Sequence, residues 1–87
     1  NYPSISDGMI SVPLEKGEGF KVVASMNKGE LGSVSNQTQD FISWHDNQAY
    51  ARLASFKGTR YWLVTMPLHN QEGRKIALAS FALSLAR

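Results

Sequence analysis

The sequence contains no cysteine. Disulfide staples, thiolate metal sites and thiol catalysis are excluded together, and the hydrophobic core of a short chain has to supply its stability unaided. Charge is scarce as well: charged residues are 18% of the chain, nine Lys and Arg against seven Asp and Glu, too few for a disordered tail. Long hydrophobic runs are missing. The longest apolar-leaning stretch, Ile76–Ala86, is interrupted by Ser80 and Ser84 and falls well short of the ~20 residues that span a bilayer. The opening Asn1–Gly8 has neither the basic nor the apolar segment of a signal peptide, and it lacks an initiator Met, so the expectation is a piece of a longer protein.

What is present is 87 residues of which 43% are hydrophobic, enough to fold and too few to divide between two cores, so residues 1–87 are read as a single domain. The net charge is +2 but unevenly spread. All acids except Glu72 precede residue 47, whereas Arg52, Lys57, Arg60, Arg74, Lys75 and Arg87 follow it. Those bases form no run, which reads as a solubilising surface in preference to a nucleic-acid or membrane face. No repeat or low-complexity segment is visible.

Asn1–Gly8 reads as turn or coil, and Met9–Leu14 as a short edge strand ended by Pro13 and the EKGEG turn. Phe20–Met26, with Val22 and Val23 at its centre, is a strand closed by Asn27-Lys28-Gly29. Glu30–Gln39 is a polar connector. Thr38 then caps a short helix carrying Phe41, Ile42 and Trp44. Tyr50–Phe56 alternates as a strand, Lys57-Gly58-Thr59 is a hairpin connection, and Arg60–Met66 is a central strand stopped by Pro67. The last segment, Arg74–Leu85, is rich in the helix formers Ala and Leu, yet it places Ala77, Ala79, Phe81, Leu83 and Leu85 on one strand face. Two preceding strands and the Gly73 turn favour a third meander strand. The sheet is read as antiparallel and the fold class as α+β.

Chemistry-bearing patterns are few. Asp40, His45 and Asp46 lack the spacing of a zinc helix or a calcium loop, so no metal site is expected. There is no nucleophile elbow, no P-loop and no dinucleotide fingerprint, and neither catalysis nor a cofactor is expected. Phe56, Tyr61 and Trp62 lie among Arg52, Lys57 and Arg60, as in a base-stacking platform, but alternation sends Tyr61 and Trp62 to opposite faces and no nucleic-acid partner is expected. Trp44, His45, Tyr50, Arg52, Arg60 and Tyr61 remain, with Asp46 among them. They combine aromatic walls with guanidinium groups that could grip a carboxylate, and they form the candidate ligand-binding set, with Arg52 or Arg60 facing an anionic ligand group.

The C-terminal half adds a resemblance. Lys57-Gly58-Thr59-Arg60-Tyr61-Trp62 as a hairpin, followed by Pro67-Leu68, the Asn70–Gly73 turn and the small-apolar Ile76–Leu85, resembles the last three strands of extracytoplasmic Cache (PDC) sensor domains, PAS-like modules of bacterial receptors. Phe20–Gly32 resembles an early strand of the same family. The resemblance implies a PAS-like antiparallel sheet of about five strands with short flanking helices, the periplasmic sensor domain of an inner-membrane receptor. Such a domain binds a small metabolite and relays the signal through a membrane helix to a kinase, cyclase or chemoreceptor output, in the manner of two-component systems. The long helix that usually opens such domains is not legible before Met9. The family's amino-acid binders carry an Asp in the final strand where this chain has Ala82, which argues against an amino-acid ligand. The alternative is a ligand-free PAS-like or roadblock/profilin-like module that acts by dimerisation, and a homodimer is compatible with both readings.

Overall fold

The alternation that starts at Tyr50 is a three-stranded antiparallel meander in the computed structural model, which describes residues 4–84. In chain order the elements are β1 (Ser4–Pro13), β2 (Phe20–Ser25), a 3-10 turn (Lys28–Glu30), β3 (Val34–Ser35), α1 (Thr38–Asp46), β4 (Tyr50–Phe56), β5 (Thr59–His69) and β6 (Lys75–Ser84). The strands form one curled antiparallel sheet in the order β3-β2-β1-β6-β5-β4, with α1 against one face. The domain is thus α+β with six described strands and one short α-helix, which is consistent in general with a PAS-like fold. Asn1–Pro3 of the expected N-terminal coil and Leu85 of the expected last strand lie outside the described residues.

Residues that pair across strands share a face, so the register defines both surfaces of the sheet. On the covered face Arg52, Leu63, Ala82 and Asp7 form one row, Tyr50, Thr65, Ser80 and Met9 the next, and Pro67, Leu78, Ser11 and Val22 a third. The apolar core is small and lies under α1: Phe20, Val22 and Leu78 are buried there, and Phe20 meets the rings of Phe41 at 5.5 Å and Trp44 at 5.6 Å. On the other face Leu53, Trp62, Leu83 and Ile5 form one row and Ala51, Val64, Phe81 and Gly8 the next.

Local chemistry explains the turns. Lys57 and Gly58 have φ of 52° and 80°, the paired positive values that a two-residue hairpin needs to match strand twist. Gly19, at φ +126°, lies beside the end of β3 where it pairs with the start of β2, and a Cβ there would stand 2.6 Å from Asn36 Oδ1. Asn47 ends α1 in the left-handed region (φ 58°, ψ 41°), a conformation that Asn tolerates better than most side chains.

Four sequence expectations change. Met9–Leu14 is not an edge strand: β1 runs back to Ser4 and is flanked by β2 and β6, because the polar Ser4–Gly8 segment finds its hydrogen-bond partners at the far end of the chain, along Phe81–Ser84. The Glu30–Gln39 connector contains β3 and the first residues of α1. Gln37, and not Thr38, is the N-cap, without a side-chain hydrogen bond. Pro67 does not stop β5, which continues to His69; β4 begins at Tyr50 opposite Thr65, so Pro67 sits where β5 has a strand on one side only.

Candidate functional site

A cavity of about 380 Å³ opens between the N-terminal half of α1, the β3 segment and the covered face of the sheet. Its size suits a small metabolite. Two of the cross-strand rows form its floor, and Asp40 and Gln39 reach it from α1. Besides the packing of Phe41 and Trp44 on Phe20, polar groups hold the helix over the sheet. The Gln39 side-chain amide donates to the carbonyls of Tyr50 (3.3 Å) and Leu63 (3.1 Å) and to Thr65 Oγ1 (3.1 Å), shared contacts for an amide with two hydrogens. Ser43 Oγ donates to the Gln48 carbonyl at 2.6 Å and lies 3.3 Å from that of Thr65. At the other end Lys75 Nζ donates to the Trp44 carbonyl at 2.6 Å and sits 4.7 Å from the centre of the Trp44 ring.

Charge in the cavity is segregated. Asp7, Glu30 and Asp40 lie toward β1, β2 and β3: Asp7 shares its row with Ala82, Glu30 accepts from Ser25 Oγ at 3.1 Å, and Asp40 Oδ2 accepts from Ser35 Oγ at 2.6 Å. Arg52 stands at the opposite end of the floor row, on β4. Asp40 is only 6% exposed, in the first turn of α1, where the helix dipole favours a carboxylate. Among the described residues none of the three carboxylates is ion-paired.

The six residues singled out from the sequence are dispersed. Arg52 lines the cavity and also a neighbouring groove of about 500 Å³ between α1 and the edge strand β4, where Tyr50 joins it. Tyr61 is half-buried on the covered face, opposite Ala54, one row beyond the cavity floor. Trp44 is packed between Phe20 and Lys75. His45 projects into solvent with its ring 90% exposed, 3.3 Å from Asp46 Oδ1. Arg60 is exposed and pairs opposite Ser55, on the uncovered face. Tyr50 Oη donates to Asp46 Oδ2 at 2.6 Å. That bond, with a smaller contribution from His45, holds the Asp46 carboxyl below its ordinary range, and the same carboxylate holds the Tyr50 phenol above its own.

Asp7, Glu30 and Gln39 were not singled out by sequence reasoning, and Asp40 was weighed only as a metal ligand beside His45 and Asp46. The one signal that could have marked them is an acidic residue, Asp40, one position before the apolar Phe41-Ile42 pair of a short helix. Among the described residues no group of three or more His, Asp or Glu is close enough to hold a metal ion, and no helix is long and apolar enough to cross a membrane. Compared with models of known protein families, with curated proteins and with solved structures, the chain finds no match.

Proposed function

We propose that this domain is a ligand-sensing module that takes a small polar metabolite into the cavity beneath α1. In the wider reading it is the extracytoplasmic part of a bacterial membrane receptor. It passes occupancy to an output domain elsewhere in the parent protein and performs no catalysis itself. The observation that carries the binding reading is the 380 Å³ cavity itself, whose wall includes the first turn of a nine-residue helix seated on the sheet through a few side-chain hydrogen bonds. A ligand that contacts Gln39 or Asp40 competes with or reinforces those bonds and so biases the seat of α1, which is the two-state element a sensor requires. The receptor context and the periplasmic location rest on the Cache-like pattern of Ala49–Leu85.

A thermal-shift screen of the isolated domain against organic acids, amines, amino acids, purines and sugars tests the reading. A ligand at 100 times its Kd adds about 2.7 kcal/mol, a rise in Tm of roughly ten degrees or more for a chain of this size. Silence across the whole panel overturns it.

The second reading, a ligand-free dimerisation module, is favoured by the uncovered face, where Leu53 is 44%, Trp62 40% and Ile10 37% exposed. Sedimentation equilibrium at micromolar concentration decides it: a dimer that Trp62→Ser dissociates, in a domain that no compound stabilises, selects this reading over the first.

A further inference from the structure

We infer that β4 takes an extended, acidic peptide segment of another protein as a further strand of the sheet, with side chains of that segment in the groove between β4 and α1. The strand order leaves two edges among the described residues, β3 and β4. β3 is only two residues long, whereas β4 has seven and pairs with β5 from Tyr50–Thr65 to Phe56–Thr59 without a register shift. Every second residue of β4 therefore turns its N–H and C=O away from β5, toward no described strand. Sheet edges are commonly blunted by shortness, by Pro or by a bulge, and β4 has none of these. Its charged residue is Arg52, and that residue faces the groove.

The groove, of about 500 Å³, is walled by Ile42 of α1 and by Tyr50 and Arg52 of β4. Ile42 is 44% exposed, and Arg52 is exposed as well. Tyr50 and Arg52 are two residues apart on the covered face, so an added strand sets two alternate side chains beside them. One is an acid that meets the guanidinium, and the other is an apolar residue that covers Ile42. Charge decides between a foreign strand and a second copy of β4. From Asn47 to Gln71 the chain carries Arg52, Lys57 and Arg60 and no acid. Asp46, just before that stretch, is already engaged by Tyr50 and His45. Pairing two copies of β4 brings the bases of two hairpins together without an acid from either, and like charges on neighbouring strands oppose pairing. An acidic strand is drawn to the same surface and is favoured over self-pairing. The site borders the cavity of the proposed function through Arg52, but it needs no metabolite to be occupied.

NMR titration of the whole isotope-labelled chain with an acetylated peptide as long as β4, in which Glu and Leu alternate with Thr, tests the inference. The expected result is saturable binding that shifts the amide signals of Tyr50–Phe56 and Ile42 and protects every second β4 amide from exchange. N-methylation of alternate peptide residues is made in both phases. One phase should abolish binding and the other leave it intact, since only one edge of the peptide faces β4. Arg52→Glu should weaken binding about tenfold and transfer the preference to a peptide with Lys in place of Glu, the scale of one charged hydrogen bond. The Lys peptide on the unaltered chain gives the same reading without a variant that has to fold. Equal effects of the two N-methylated phases overturn strand addition. An affinity that neither charge reversal changes overturns the acidic partner. Absence of binding overturns the inference outright, and a dimer of the free chain with protected β4 amides overturns it in favour of a second copy.

Discussion

The two faces of the sheet invert the usual order of polar and apolar. Under α1 the sheet buries Ser11 and Thr65 along with Phe20, Val22 and Leu78, and the helix adds Asp40 and Ser43, whereas the face with no helix against it carries Leu53, Trp62, Val64, Met66, Phe81 and Leu83. Polar groups cost free energy to bury unless they are bonded, and those under α1 are bonded: Asp40 to Ser35, Ser43 to the Gln48 carbonyl and Thr65 to Gln39.

The sharpest test of this contrast makes the same substitution on both faces. Leu78 is fully buried and Leu53 is 44% exposed. Leu78→Ala should cost about 3 kcal/mol in urea denaturation, and Leu53→Ala less than about 1 kcal/mol. Equal losses would mean that the uncovered face is packed against something in solution, and the contrast would fail. Gly19→Ala comes next, at about 2 kcal/mol, because the new Cβ combines a strained φ with a clash against Asn36 and the β3 backbone. Retention of wild-type stability would show that β3 can move away, and with it one wall of the cavity.

Gln39→Ala should cost about 1 kcal/mol and raise amide exchange in α1 more than in β5, since it removes the bonds that seat the helix. Uniform exchange would deny α1 any independent motion. The smallest effect belongs to the solvent-exposed Asp46–Tyr50 pair. A carboxyl with a lowered folded-state pKa contributes stability that is present above its unfolded value and is lost as pH falls through the folded one. A phenol with a raised pKa contributes stability below its unfolded value that is lost as pH rises through the folded one. The pair therefore contributes from mildly acidic to mildly alkaline pH and fades at both extremes. In Asp46→Asn the Tyr50 titration followed by NMR should move down toward the ordinary phenol range; an unmoved midpoint would show that the 2.6 Å bond is not formed in solution.

The meander from Tyr50 to Ser84 was legible in the sequence because its strands are local, alternate cleanly and are joined by short turns at Gly58 and Gly73. Phe41 and Trp44 marked α1 through their spacing. The extension and central place of β1 were not legible: Ser4–Gly8 is polar and contains Gly, and its pairing with β6 joins opposite ends of the chain, for which no local pattern exists. The same reason hid most of the cavity. Arg52 lay in an evident strand among aromatics, but Asp7 read as part of a turn or coil, Glu30 as part of a polar connector and Asp40 as a residue weighed only for a metal, and only the strand order brings them around one space.

The pairing of β1 with β6 has a mechanical consequence. Ser4 lies opposite Ser84 in an antiparallel pair, so the chain comes in and leaves side by side in the middle of the sheet. A load applied through both ends opens the domain like a zipper, one rung at a time from that pair inward, instead of shearing all the rungs at once. Asp7, opposite Ala82, is among the first rungs to part. A pull on both ends would therefore reach the floor of the cavity early, before the β5–β4 half of the sheet.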